Sequence, residues 1–138
     1  MSESTQDVSR HVTAAEMRRF RELAIATLAE AEEVVVRTRQ QLKVMEGGMR
    51  RARRIMEAGH SAREVADMVD VGEIRSASSE VIQEIQAARH RAQLMQFRMA
   101  AAEGMSLAEI ARHWGVSRQL VSRIVKEPVP RLRPRRNR

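Results

Sequence analysis

Cysteine is absent from the 138 residues, which excludes disulfides, thiol nucleophiles and thiolate-ligated metal sites such as zinc fingers. Tyrosine is absent as well, so tyrosine-based strand transfer is impossible. Aromatic side chains are limited to Phe20, Phe97 and Trp114, and any core must be built largely from aliphatics. No apolar run approaches the ~20 residues that span a bilayer, and the opening MSESTQDVSRHVT lacks the apolar stretch of a secretory signal, so a soluble, cytoplasmic protein without membrane contact is expected. Glycine-rich phosphate loops are missing. His11, His60, His90 and His113 are scattered without metal-ligand spacing to carboxylates and read as surface or packing residues. A chain of this length makes one modest domain or two very small ones. The expectation is a binding protein rather than an enzyme, with no cofactor and no metal.

What is plentiful is alanine, valine, leucine and methionine, with abundant Glu and Arg, a composition that points to an all-α protein. Charge is unevenly placed. Residues 1–104 carry 16 basic and 16 acidic residues, whereas residues 105–138 carry 9 basic residues against Glu109 and Glu127, a surplus equal to the formal +7 of the whole chain. The polyanion-binding end is therefore the C-terminal one.

Residues 1–12 are polar and expected to be disordered. Thr13-Ala14-Ala15-Glu16 has the capping-box spacing, in which a hydroxyl accepts from the amide three residues on and the carboxylate reaches back. From there Met17, Phe20, Ala24, Thr27, Ala31, Val34, Thr38, Gln41 and Met45 recur in alternating steps of three and four, with Leu28, Val35 and Leu42 widening the stripe. The spacing predicts a first long helix over 13–48, closed by Gly47-Gly48. A second is predicted over 78–104, with Val81, Ile85, Ala88, Ala92, Met95, Met99 and Ala102 at heptad-like spacing and Gly104 as its stop. Its partner is either the first helix or a helix of a second copy.

The intervening residues 49–77 become legible when the chain is slid by 45 positions. Glu57-Ala58-Gly59-His60-Ser61-Ala62-Arg63-Glu64-Val65-Ala66 then falls on Ala102-Glu103-Gly104-Met105-Ser106-Leu107-Ala108-Glu109-Ile110-Ala111, and Val71 on Val116. Both copies contain Ser-x-x-Glu, a helix start. The pattern reads either as chance recurrence of a glycine stop and a capped helix or as a duplicated unit. In the first copy Asp70 and the run Gly72-Glu73-Ile74-Arg75-Ser76 stand where the second has a glycine turn and another helix, so it reads as degenerate, with a structural or protein-binding role. Arg50, Arg51, Arg53 and Arg54 beside it are either phosphate contacts or a solvated face paired with nearby acids.

The second copy, over 105–127, is complete. SLAEIARHWGVSRQLVSRIVKE offers a short helix from Leu107, a tight turn at Gly115 and a further helix from Ser117, ended before Pro128. Ala111 is small at the helix crossing, and Ile110, Trp114, Val116, Val121 and Ile124 are apolar where they face the interior, toward Met95 and Met99. On these residues the chain resembles, over about 92–127, the helix-turn-helix proteins of bacteria and phages, most like the trihelical type of recombinase DNA-binding domains and many repressors.

Composition, periodicity and caps together give an all-α fold of two long coiled-coil-like helices, each followed by a short helical unit, the C-terminal one a complete helix-turn-helix. The resemblance implies that the last helix enters the major groove of duplex DNA. Its groove-facing positions here are Ser117, Arg118, Gln119, Ser122, Arg123 and Lys126. Arginines suit guanine, Gln119 suits adenine, and the serines and Lys126 suit phosphate. Residues 128–138, with Arg131, Arg133, Arg135 and Arg136, read as a disordered basic arm lying along phosphates or in a minor groove. The expected function is a dimeric transcriptional regulator held together by its long helices. The alternative is an architectural or assembly protein of nucleoid, partition or phage-packaging type, whose long helices recruit another protein.

Overall fold

In the computed structural model of the chain, residues 12–131 are described, and among them five helices occur and no strand. They are α1 (Ala14–Glu57), α2 (Ala62–Met68), α3 (Val71–Ala102), α4 (Leu107–Trp114) and α5 (Arg118–Ile124). The all-α expectation holds, with two long helices each followed by a short helical unit. None of these helices is long and apolar enough to cross a membrane. Residues 1–11 of the N-terminal segment expected to be disordered, and Arg133, Arg135 and Arg136, lie outside the described residues.

The long helices begin where backbone amides can be satisfied. At Thr13 the capping box is complete, the hydroxyl accepting from the Glu16 amide at 3.1 Å and the Glu16 carboxylate from the Thr13 amide at 3.1 Å. The predicted stripe of α1 is the face that becomes buried, except that Leu28, Val35 and Leu42, expected to widen it, stay exposed. Ala24, Thr27, Val34 and Thr38 are buried, and Met17, Phe20, Ala31, Gln41 and Met45 half-buried. Its polar members are satisfied without leaving the interface: Thr27 donates to the carbonyls of Leu23 and Ala24, Thr38 to that of Val34, and the Gln41 amide to the Ser78 hydroxyl at 3.3 Å.

The chain divides into two compact units, one holding residues up to Thr27 and from Arg91 onward, the other Leu28–His90. In the second unit α1 and α3 run antiparallel, tied by Arg37 to Glu84 at 3.0 Å and by Gln41 to Ser78. In the first, Leu23 and Ala24 of α1 pack on Met95 of α3, with Phe20, Met99 and Val129 around them. The partner of the second long helix is thus the first helix of the same chain.

Two boundaries differ from expectation. Gly47-Gly48 does not end α1, which continues to Glu57. The reason is visible at Gly48: a Cβ there would come within 2.8 Å of the Ile74 side chain, so the glycine is a notch for α3 rather than a stop. Likewise α3 starts at Val71, not Ser78, so Gly72-Glu73-Ile74-Arg75-Ser76 forms its first turns. Of the basic cluster beside them, Arg50 pairs with Glu46 at 2.6 Å and Arg53 with Glu57 at 3.1 Å, the arrangement of a solvated helix face.

The 45-residue repeat is structural at its shared segment. Gly59 and Gly104 both adopt positive φ (92° and 97°), and the amides of His60 and Met105 both bond back to carbonyls five residues earlier, Ile55 and Ala100. Ser61 and Ser106 then cap α2 and α4 with the same extended backbone, and Val65 and Ile110 are buried at equivalent positions. The copies part after these short helices. Val69, in extended conformation, leads directly into α3, whereas Gly115 turns the chain into α5.

Candidate nucleic-acid interface

Three serines and a glycine set the geometry of residues 105–127. The Ser106 hydroxyl accepts from the Glu109 amide and the Ser117 hydroxyl from the Leu120 amide, both at 3.1 Å, starting α4 and α5. Ser122 sits half-buried on α5. Gly115 closes α4 in the left-handed region (φ 65°, ψ 35°), and the Val116 amide bonds back to the Ala111 carbonyl at 3.0 Å. This is the tight turn expected at that glycine, in a conformation that an L-residue adopts only at a cost.

The core under the two short helices is completed by α3. Ile110 and Ala111 of α4 and Val121 and Ile124 of α5 pack with Leu94, Phe97 and Ala100. Val116, Leu107, Leu120 and Val125 seal its edges. The contact was expected near Met95 and Met99, but those face α1, and the neighbouring stripe one residue round the helix carries the short helices instead. An α3 that must pack on two elements needs two apolar faces, and the step from Met95 to Leu94 and Phe97 is how one helix presents both. Phe97 is fully buried and meets Trp114 edge to face, with ring centroids 5.5 Å apart and an interplanar angle of 82°. Trp114 is otherwise partly exposed, covering the rim rather than filling the centre.

Sequence reasoning missed two residues of α3 that hold this unit in shape. Phe97 carried a signal, being one of only two phenylalanines and lying three or four residues from Leu94 and Ala101. Arg98 carried none. It donates to the backbone carbonyl of Glu127, just beyond α5, where helical carbonyls lack intrahelical partners. Pro128–Arg131 is also less free than a disordered arm, because Val129 packs against the cluster of Leu23, Ala24 and Met95. Its apolar side chain gains by leaving water, which the neighbouring arginines do not.

The outward face of α5 is polar throughout. Ser117, Arg118, Gln119, Arg123 and Lys126 are exposed, and Ser122 lies half-buried at their margin. Among the described residues, Arg118, Arg123 and Lys126 form no ion pair, and α5 itself contains no acidic residue. Arg131 is exposed beyond the helix end. The arrangement presents cations and amide or hydroxyl donors on one short helix whose other face is locked into a core.

A sequence profile of the homeodomain-like domain matches residues 85–129, which cover the second half of α3, all of α4 and α5, and the first residues beyond. The match covers about a third of the chain, and over those residues it supports a helix-turn-helix domain and suggests DNA binding. It begins earlier along α3 than residue 92 and takes in Leu94 and Phe97 of the core under the short helices. Searches of curated proteins and of solved structures return no match.

Proposed function

We propose that the chain binds duplex DNA in a sequence-specific manner, laying α5 in the major groove, and that it acts as a dimeric transcriptional regulator. The observation that carries this reading is the division of α5. Val121 and Ile124 are 2% exposed or less, while Arg118, Gln119, Arg123 and Lys126 on the other side stand exposed, the cations without acidic partners among the described residues. A major groove admits a helix and displays a separate donor and acceptor pattern for each base pair. Arg118 and Arg123 have the fork geometry for guanine O6 and N7, and Gln119 the paired donor and acceptor for adenine. Ser117, Ser122 and Lys126 serve phosphates at the groove edge, and Arg131, with Arg133, Arg135 and Arg136, adds sequence-independent attraction.

The test is selection of bound fragments from a random duplex pool by the full-length protein at near-physiological salt. Enrichment of an inverted repeat is expected, since a two-fold dimer presents two reading helices to two half-sites. Tight, salt-sensitive binding without any enrichment would replace the regulator with the architectural reading, in which the helix only tethers an assembly.

A further inference from the structure

In the unit formed by Leu28–His90, α1 carries a second apolar stripe that α3 does not cover. Leu28, Val35, Leu42, Met49 and Met56 recur every seven residues and are all exposed, at 44%, 47%, 45%, 63% and 53%. They lie about 40° to 100° round the helix from the residues of the stripe buried against α3, along one flank of it. A heptad period kept over four steps is the signature of a helix with a second helical partner. The positions between them hold Glu32, Arg39, Glu46 and Arg53, also seven apart, exposed and alternating in sign. Glu46 and Arg53 have i,i+4 partners on their own helix, Arg50 and Glu57, whereas Glu32 and Arg39 have no ion-pair partner among the described residues.

This alternation selects an occupant. We infer that the stripe is the contact surface for α1 of a second copy of this chain, running antiparallel about a two-fold axis at Leu42. In that register Leu42 meets Leu42 of the second copy, Val35 meets Met49 and Leu28 meets Met56. Each of these four charges then lies within about one residue of level with its opposite, Glu32 with Arg53 and Arg39 with Glu46. Shifting the antiparallel register by a heptad sets like charges opposite, and a parallel two-fold pair sets each charge against itself. A parallel pair staggered by one heptad matches charges but does not close, leaving a free stripe on each side. The inference names the surface of the dimer that the regulator reading calls for, but it is argued from α1 alone and stands or falls without DNA.

The experiment measures the solution mass of the full chain, without DNA, by light scattering on a sizing column. Twice the chain's 15.7 kDa is expected. Val35→Asp with Leu42→Asp should bring the mass to one chain with unchanged helical circular dichroism, because both side chains are exposed in the single chain. Arg39→Glu should weaken the dimer and Arg39→Glu with Glu46→Arg should restore it. The chain has no cysteine of its own. Val35→Cys mixed with Met49→Cys should therefore form a disulfide between chains, while Val35→Cys alone should not. A wild-type mass of one chain, a dimer that survives both aspartates, or Val35→Cys linking to itself in preference to Met49→Cys would overturn the inference. Unchanged DNA binding in Arg118→Ala with an intact dimer would instead count against the groove reading.

Discussion

Gly115 is the residue at which one side chain has most leverage over the turn between α4 and α5. Its φ of 65° is tolerated by glycine alone without strain, although nothing crowds the space a Cβ would take. Gly115→Val should therefore cost about 1–2 kcal/mol or more from backbone conformation alone, read as a lower midpoint in urea denaturation. Phe97 tests the core from the other side. As a fully buried aromatic joined to Trp114, it should lose about 3–5 kcal/mol on Phe97→Ala. On the reading face, Arg118→Ala and Arg123→Ala should each cost about 1–3 kcal/mol on the preferred site if they contact bases, with much less loss on bulk DNA. Competition titrations with both DNAs would show the difference, and equal losses would assign these arginines to phosphate. The exposed polar face of α5 was legible at this scale because exposure of polar residues follows from the spacing of apolar ones.

The elements differ in how much their own residues say about them. The turn that begins α2 is written locally: Glu64 accepts from the Ser61 amide at 3.1 Å, the Ser61 hydroxyl accepts from the Glu64 amide, and His60 Nδ1 lies 2.6 Å from the same carboxylate. The hydrogen bond with His60 first, and that from the Ser61 amide second, hold the Glu64 carboxyl below its ordinary range. Because the folded value is the lower one, the capping contribution is complete above the ordinary carboxylate range and is lost as pH falls through the depressed value. The Ser61 amide resonance should accordingly titrate below the ordinary carboxylate range, and Glu64→Gln should abolish that step. The middle of α1 is the opposite case. Gly47 faces open space, so Gly47→Ala should stabilise the helix by about 1 kcal/mol through propensity alone. At Gly48 a longer side chain meets Ile74, and Gly48→Leu should lose about 1–3 kcal/mol by overpacking. Thermal melts of the two variants should therefore move in opposite directions. A pair of glycines looks like a helix stop in sequence because the local cost of continuing is real, and only contact with α3 outweighs it.

For the molecule as a whole, the uneven charge has a measurable consequence. The seven-residue excess lies entirely in residues 105–138, and four of the arginines responsible lie beyond Arg131. Truncation after Arg131 keeps Val129, which packs on Leu23 and Ala24, and so leaves that cluster intact. The affinity of the truncated protein for any duplex should fall, and the slope of log K against log salt should flatten by up to about 0.9 for each phosphate contact removed. An unchanged slope would place the arm away from DNA.

The sequence by itself determined the properties that depend on spacing: the all-α class, the buried stripe of α1, the capped starts at Thr13, Ser61, Ser106 and Ser117, and the glycine turn of the helix-turn-helix. Periodicity and capping are local, since each is settled within a turn or two of the helix concerned. Only the tertiary structure decided that α1 runs through Gly47-Gly48, that α3 begins at Val71, and that Phe97 rather than Met95 and Met99 supports the short helices. Each of those depends on which surface meets which, a choice made by packing between residues distant in the chain, where a 2.8 Å approach or a shared core outweighs what the local sequence prefers.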